Sequence, residues 1–282
     1  MIHYGWTNIQ SGDELSEEIL GVKNSLIKGK PLATSSWQSQ GDSRHPEMQP
    51  IELENVIIEL SIPDFITPLQ LLIRPNLPWA EDHFQERVSE TPYNPPPSSS
   101  WWPYAQVNNA EHKHGEIFSH TYPERIWPKT VGSGGRDSRK PKGLRYTLGD
   151  LNDLVNLLRK DPLTRQAYLP IWYPEDTGAA QGQRVPCTLG YHFRFREGKL
   201  HVNYYMRSCD IMRHMVDDLY LAARLGQWVR NQFSFPGLPI IPMGTLTAFF
   251  TSLHLFTGDI PIVQNQTKQW EKQPKEFTHA AR

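Results

Sequence analysis

Residues 185–210 read VPCTLGYHFRFREGKLHVNYYMRSCD and carry the most informative pattern of the chain. The segments LGYHFRF and KLHVNYYM are rich in aromatic and branched residues, and REGK between them is a turn signal. They predict two successive strands. Cys187 stands before the first strand, and Arg207 and Ser208 stand after the second. A thiol followed at this distance by a guanidinium and a hydroxyl indicates a nucleophile that faces an anion site.

The rest of the chain predicts an α+β fold without internal repeats. Alternating apolar residues predict a half-buried strand over residues 51–62, which we expect to be the first strand of the sheet. Residues 1–30 predict an irregular or helical lead-in. Further strands are expected within residues 167–174 and 245–256, and helices within residues 79–90, 148–159 and 217–229.

Length, composition and net charge limit the kind of protein that this chain can be. The 282 residues, 38% of them apolar, suffice for one large core, so we predict a single domain over residues 1–282 with insertions near residues 91–100 and 131–142. A net charge of −1 gives no uniform field for a nucleic acid polymer or a membrane surface. The partner is therefore expected to be a small molecule. Two cysteines, and no apolar run long enough for a leader or a membrane span, predict a cytoplasmic protein.

Two short motifs resemble the thymidylate synthase superfamily. Residues 186–187 (PC) correspond to the dipeptide that supplies the family's thiolate, and residues 207–210 (RSCD) correspond to its Arg-Ser-X-Asp phosphate motif. The resemblance runs from about residue 77 to residue 259 and is sharp only over residues 161–218. It implies a thymidylate synthase-like fold, in which a large mixed sheet is packed by helices and used for homodimerisation.

Asp218 indicates the branch of the superfamily that the chain resembles most. Thymidylate-forming enzymes carry an asparagine there that reads uracil, whereas the phage-type deoxycytidylate (dCMP) 5-hydroxymethylases carry an aspartate. A carboxylate can accept a hydrogen bond from the exocyclic amine of cytosine and, when protonated, can address N3, whereas O4 of uracil would repel it. An aspartate is also common in the first turn of a helix, and only the eleven-residue offset from Arg207 gives Asp218 this meaning.

The resemblance implies a covalent mechanism. Because C5 of cytosine is a poor nucleophile, a thiolate from Cys187 would first add at C6 and turn C5 into an enamine-like carbon. A guanidinium from Arg184 or Arg165 would raise the thiolate fraction. Without the family motifs, a lone cysteine would more often be a buried structural thiol.

The resemblance also implies a phosphate clamp made by Arg207 and Ser208. The segment DPLTRQ at residues 161–166 resembles the family's Asp-Pro-X-Ser-Arg-Arg segment, which reaches across a dimer interface, so Arg165 would bind the phosphate of the partner subunit. Gln166 replaces the second arginine of that segment, and Arg44 is a candidate to compensate for the lost charge.

The residues expected to contact the sugar and base of the nucleotide depart from the family pattern. His254 resembles the histidine that contacts the 3′-hydroxyl, but Phe256 stands where the family has a tyrosine, which leaves deoxyribose and ribose both open. His192 stands where the family usually has a glutamine, five residues after the nucleophile, and could still donate a hydrogen bond to the substrate.

Proton transfer would need a carboxylate and a phenol. Glu81, three residues before Phe84, fits the spacing of the family's general base, and Glu86 is the alternative. Tyr122 resembles the tyrosine that assists proton transfer at C5. An exposed carboxylate on a helix is nevertheless the commoner fate of such a glutamate.

The resemblance finally implies the reaction. A one-carbon unit would pass from 5,10-methylenetetrahydrofolate, held by Trp101, Trp102 and Asp210, to C5 of (deoxy)cytidine monophosphate, and water would complete 5-hydroxymethyl-dCMP. Three alternatives stay open. These are a dCMP methylase that quenches the same methylene intermediate with hydride from the folate, a dUMP-specific enzyme in which Asp218 is only a helix residue, and a nucleotide-binding protein without catalysis.

Overall fold

The computed structural model describes residues 5–32, 46–103, 113–114, 117–127, 149–177, 185–233 and 240–272. Residues 131–142, Arg44 and Arg184 lie outside these ranges. The strands are β1 (Gly5–Ile9), β2 (Pro50–Ser61), β3 (Lys113–His114), β4 (Ile117–Phe118), β5 (Tyr168–Pro170), β6 (Thr188–Arg196), β7 (Lys199–Met206), β8 (Cys209–Asp210) and β9 (Met243–Phe256). The helices are α1 (Gly12–Leu26), α2 (Ile66–Ile73), α3 (Trp79–Arg87), α4 (Tyr122–Ile126), α5 (Leu151–Lys160), α6 (Pro174–Thr177), α7 (Met215–Phe233) and α8 (Ile260–Glu271), with 3₁₀ turns at Pro46–Met48, Pro97–Ser100 and Thr257–Asp259.

A large mixed sheet carries the fold, in the strand order β1-β2-β9-β7-β6-β5, and β8 pairs with β9 beside this path. β9 runs antiparallel to β2 and parallel to β7 and β8. The two strands predicted within residues 185–210 form the antiparallel hairpin β6–β7, whose turn contains Gly198 at a φ of +74°. Because Thr188 pairs with Met206, the hairpin returns the chain to Cys187 when it reaches Arg207.

Most predicted elements are confirmed, and one is wrong. The predicted strands at residues 51–62 and 245–256 are β2 and β9, and the predicted helices are α3, α5 and α7. The sheet does not begin at residue 51, however, because β1 precedes β2 and pairs with it in parallel. The five residues GWTNI of this edge strand carry no clear alternation of apolar and polar residues, so no local pattern predicts a strand there. The helical lead-in is α1, whose Ser11 side chain accepts from the backbone N–H of Glu14.

Helix α7 is the centre of the helical layer. It packs against β7 and β9 on one side and against α2, α3 and α5 on others, so even Asp217 and Arg224 on it are buried. Gly226 permits the close approach to the sheet, since a Cβ there would lie 2.6 Å from Cγ2 of Val202. This packing fixes the first turn of α7, and with it Asp218, beside the ends of β7 and β8.

The opposite face of the sheet carries a row of partly exposed aromatic residues. The rings of Tyr205 and Phe249 stack at 5.0 Å, and Tyr168 lies 6.2 Å from His192. Homodimerisation through the sheet would use this face, and it stays a prediction. None of the helices in the described ranges is both long and apolar enough to cross a membrane.

Candidate active site

Cys187 and Arg207 meet at the open end of the β6–β7 hairpin. The backbone N–H of Arg207 donates to the carbonyl oxygen of Cys187 at 2.9 Å, and Nη2 of Arg207 lies 3.8 Å from the Cys187 Sγ. The same guanidinium donates to the carbonyl oxygens of Pro186 and Val185 at 2.9 and 3.2 Å. These bonds hold a fixed positive charge against a partly exposed thiol, an environment that favours the thiolate.

Ser208, Asp210 and His254 continue the site along β8 and β9. Ser208 Oγ lies 3.4 Å from His254 Nδ1, and Asp210 is the register partner of His254. Burial lowers the pKa of His254 below its ordinary value, so its imidazole is neutral near pH 7. The structure therefore places a guanidinium, a hydroxyl and a neutral imidazole in a row that starts at the thiol.

Tyr122 reaches the same place from α4. Its hydroxyl lies 3.0 Å from Oγ1 of Thr188, the residue after Cys187, and Oγ1 of Thr188 lies 2.9 Å from the hydroxyl of Tyr204. Burial, followed by the charges of Asp218 and Cys187, raises the pKa of Tyr122 far above its ordinary value. The phenol therefore keeps its proton at neutral pH and acts as a hydrogen-bond donor or a relay.

Asp218 lies in the first turn of α7, with the Cys209 Sγ 3.9 Å from its Oδ2. Burial raises the pKa of Asp218 to about 7; the guanidinium of Arg87 opposes this shift and the carboxylate of Asp217 adds to it. A carboxyl group with such a pKa exists in both protonation states near neutrality, which suits a group that gives and takes a proton.

Arg87 is a further member of this group of side chains, and sequence reasoning missed it. The group is called the Cys187 cluster below and comprises Cys187, Arg207, Ser208, His254, Tyr122, Asp218 and Arg87. The side chain of Arg87 is 5% exposed, and its guanidinium carbon lies 4.1 Å above the ring of Tyr122. Nη1 donates to the hydroxyl of Tyr191 at 3.5 Å, and Nη2 lies 3.1 Å from Nε2 of His83. An arginine in the last turn of a helix is explained by the helix dipole alone, so the sequence carried no signal for this role.

The family model for thymidylate synthase matches residues 100–279, which is more than half of the chain. The chain belongs to the thymidylate synthase family. Among solved structures, the thermostable thymidylate synthase A of Bacillus subtilis matches with a TM-score of 0.60 and 12% identity over 89% of this chain and 83% of that one. The predicted α+β fold of the thymidylate synthase type, a mixed sheet packed by helices, is thereby confirmed.

Curated relatives match over shorter stretches. A protein of Methanosarcina barkeri, provisionally named a thymidylate synthase, is 28% identical over 116 residues, which are 41% of this chain and 49% of that protein. The thymidylate synthase of Rhizorhabdus wittichii is 27% identical over 142 residues, which are 50% of this chain and 42% of that protein. The chain thus spans about half the length of the curated relatives that it matches.

The two glutamates considered for the family's general base are both held by other partners. Glu81 accepts from Nη2 and Nε of Arg224 at 2.7 and 3.0 Å and from the hydroxyl of Tyr220 at 2.6 Å. Burial alone would raise the pKa of Glu81, but these bonds bring it below the ordinary value. Glu86 accepts from the backbone N–H and the hydroxyl of Ser98, both at 2.5 Å. Neither carboxylate is hydrogen bonded to the Cys187 cluster within the described ranges.

The ion pair of Glu81 predicts a structural effect. Replacing Glu81 with glutamine leaves the buried guanidinium of Arg224 without its counter-charge, so we expect the free energy of unfolding, measured by urea denaturation, to fall by about 3 kcal/mol. The control is Asp82→Asn, which removes an exposed carboxylate on the same helix and should change little. Equal stability of the two variants would show that the pair does not stabilise the fold.

Of the three residues expected to hold the family's folate, the structure brings Trp102 near Asp210. The ring of Trp102 stacks on His214 at 5.3 Å, and the backbone N–H of His214 donates to the carbonyl oxygen of Asp210 at 3.0 Å. The Asp210 carboxylate is tied to Arg213 at 3.0 Å. Trp101, by contrast, is 48% exposed, so about half of its surface faces solvent.

A cavity of about 330 Å³ lies between α1, α2, α7 and α8. Its walls are apolar at Ile19, Val216 and Trp270, and Lys23 lines it as a cation. Burial lowers the pKa of Lys23, while the charges of Asp210, the last residue of β8, and of Asp259 oppose this shift, so Asp210 lies on the side of the cavity that Lys23 lines.

Arg165 and His192 are not brought to the Cys187 of their own chain. His192 donates from Nε2 to the carbonyl oxygen of Arg165 at 3.2 Å, and its ring lies against Tyr168 on the outer face of the sheet. His192 also stands five residues along β6 from the thiol, roughly 16 Å at the usual strand rise. Arg165 is exposed. A contact of Arg165 with the partner subunit therefore stays a prediction.

Proposed function

We propose that this protein transfers a one-carbon unit from 5,10-methylenetetrahydrofolate to C5 of dCMP and releases 5-hydroxymethyl-dCMP. One observation carries this proposal: the thiol of Cys187, held against the Arg207 guanidinium, and the carboxyl group of Asp218, whose pKa is about 7, both act on the buried phenol of Tyr122. The thiol and the guanidinium suit an enzyme that attacks a bound nucleotide, and the carboxyl group suits a cytosine ring.

The phosphate end is assigned to Arg207 and Ser208. Within the described part of the chain, Nη1 of Arg207 makes no hydrogen bond, so it can donate to a phosphate oxygen while Nε and Nη2 keep the arginine on the Cys187 loop. The hydroxyl of Ser208 and the neutral imidazole of His254 extend this row toward the sugar. Arg165 of the partner subunit would add a second guanidinium in a homodimer formed through the aromatic face of the sheet.

The pyrimidine ring is assigned to Cys187 and Asp218. The thiolate pair forms the S–C6 bond, the C5–C6 π pair moves to C4–C5, and the C4–N3 π pair moves onto N3. Asp218 gives N3 its proton and becomes a carboxylate, which then accepts a hydrogen bond from the exocyclic amine. The product of this step is a neutral enamine with a nucleophilic C5.

Tyr122 is assigned to the proton that leaves C5. Its raised pKa makes a lasting phenolate unfavourable, so the phenol would relay the proton through the hydroxyls of Thr188 and Tyr204 rather than store it, and one proton would leave with the departing amine of the folate. Glu81 and Glu86 are engaged elsewhere, and a direct role in this transfer would require them to leave those bonds.

The folate is assigned to the cavity beside Asp210. Apolar walls at Ile19, Val216 and Trp270, together with the cations of Lys23 and Arg74, match an aromatic ligand that carries carboxylates. When bound, the folate supplies the one-carbon unit. Residues around C5 then decide whether water or hydride completes the product. Both described cysteines are free thiols, as expected if the reaction takes place in the cytoplasm.

The names of the matched relatives favour a second candidate, a thymidylate synthase that acts on dUMP. One experiment separates the candidates: incubation with methylenetetrahydrofolate and dCMP, CMP or dUMP, followed by mass spectrometry of the nucleotide and absorbance detection of dihydrofolate. We expect a hydroxymethylated dCMP without dihydrofolate. Dihydrofolate together with methylated dCMP would identify a methylase, and turnover of dUMP alone would overturn the choice of base.

A further inference from the structure

Arg87 is a buried cation that has no close counter-ion among the residues that the structure describes. Buried arginines elsewhere in the fold are paired, Arg125 with Asp176 and Arg224 with Glu81. No carboxylate oxygen within the described ranges lies in ion-pair distance of the Arg87 guanidinium, and its Nε, which is shielded from solvent, has no hydrogen-bond partner there. An unpaired buried charge costs several kcal/mol, and a fold tolerates it most readily at a functional site.

A neutral histidine holds this guanidinium in place. Arginine has only donors, so Nη2 of Arg87 must donate to the lone pair on Nε2 of His83. The ring proton of His83 then sits on Nδ1, 3.2 Å from a Glu86 oxygen. Burial, followed by the charge of Arg87, lowers the pKa of His83 well below its ordinary value and keeps the ring neutral. Glu86 therefore orients Arg87 through His83 without contacting its charge.

The uncompensated charge points into the Cys187 cluster. The guanidinium lies over the Tyr122 ring at 4.1 Å and donates to the Tyr191 hydroxyl. Its charge opposes the effect of burial on the pKa of Asp218, and both groups act on the Tyr191 phenol that Arg87 contacts. When Asp218 gives up its proton, the carboxylate that forms supplies a negative charge that attracts the guanidinium of Arg87.

We propose that Arg87 is a positioning residue that acts on the substrate through Asp218, keeping this carboxyl group able to hand its proton to N3 of a cytosine. This role rests on the function proposed above. The proton leaves the oxygen of Asp218 and bonds to N3 as the sulfur–C6 bond forms, and the negative charge moves from sulfur to the Asp218 carboxylate beside Arg87. No oxidant or reductant is needed.

The sign of the pH effect follows from the groups around Asp218. Burial and Asp217 raise its pKa, and Arg87 lowers it. The other titratable groups that interact with it are the thiol of Cys209 and the phenols of Tyr122, Tyr191 and Tyr204. Since proton donation requires the protonated form, activity falls as pH rises through the pKa of Asp218. Removing Arg87 raises the pKa of Asp218, so the decrease in activity moves to higher pH. At pH values below this decrease the reaction becomes slower, because Asp218 is then a weaker acid.

The first test is independent of activity. The carbonyl stretch of protonated Asp218 is followed against pH by infrared difference spectroscopy, with Asp218→Asn as the reference. We expect Arg87→Gln to raise the midpoint by about one pH unit and Arg87→Lys, which keeps the charge, to raise it less. Arg230→Gln is the matched control, because it removes a buried guanidinium twelve residues along α7, about 18 Å away, and should not move the midpoint.

The second test measures tritium release from C5-labelled dCMP across the same pH range. We expect the basic limb of kcat/KM to shift upward in Arg87→Gln, and to be lost in Asp218→Asn. A uniform loss at every pH with an unmoved limb, or an unmoved infrared midpoint in both Arg87 variants, would overturn the role of Arg87. If the unaltered protein releases no tritium, the proposed function fails, and the infrared titration still decides whether Arg87 acts on Asp218.

Discussion

Replacing Cys187 with serine is expected to reduce tritium release from C5-labelled dCMP by at least about 10⁴-fold. The reason is chemical: a serine hydroxyl beside Arg207 stays protonated at neutral pH, so no nucleophile of sufficient strength reaches C6 and C5 never becomes an enamine-like carbon. Binding should change little, because the phosphate contacts assigned to Arg207 and Ser208 remain. Steady-state tritium release together with nucleotide affinity by calorimetry measures both effects.

Cys209→Ala provides the matched thiol control for this experiment. Cys209 is the other free thiol, buried behind Asp218, and its raised pKa makes it a poor nucleophile. Tritium release by Cys187→Ser at a rate near that of the Cys209 variant would remove the covalent mechanism. Thermal unfolding of both variants shows whether a loss reflects the fold.

Replacing Asp218 with asparagine is expected to invert the choice of base. An asparagine amide donates to O4 and accepts from N3–H, as uracil requires, and it has no proton to give to N3 of cytosine. We expect the ratio of kcat/KM for dCMP over dUMP to fall by roughly 10³-fold, since an unmatched buried polar group costs several kcal/mol. The measurement is tritium release from both labelled nucleotides.

Asp217→Asn is the control for the choice of base. Asp217 is the preceding residue, but its carboxylate accepts from the backbone N–H and the side-chain amide of Asn76 at 2.8 and 2.7 Å, so it faces away from the cluster. This variant should keep the preference for dCMP. An Asp218→Asn protein that still prefers dCMP, or an Asp217→Asn protein that loses the preference, would contradict the role assigned to Asp218.

Local patterns were enough to predict the framework of the site. The hairpin β6–β7 follows from its aromatic and branched residues and a glycine turn, and once the hairpin forms, Cys187 and Arg207 must be neighbours. The edge strand β1 was missed because five residues without alternation acquire their structure from pairing with β2, which no local pattern reveals.

Tertiary packing decided the rest of the site. Glu81 fits the family spacing, yet α3 packs against α7 so that Arg224 and Tyr220 take both of its oxygens. Six residues further along α3, the same packing directs Arg87 toward Tyr122. The environment of Asp218 likewise depends on burial by several elements that are distant in sequence, so its pKa near 7 has no counterpart in the residue pattern.

A covalent bond between the sulfur of Cys187 and C6 of a cytosine nucleotide can be trapped with 5-fluoro-dCMP. Fluorine at C5 cannot leave as a proton does, so the adduct formed in the presence of methylenetetrahydrofolate should accumulate and survive denaturation. Peptide mass spectrometry is expected to find the nucleotide attached to Cys187, in greater yield than with 5-fluoro-dUMP. An unmodified Cys187 after incubation with either nucleotide would contradict the account.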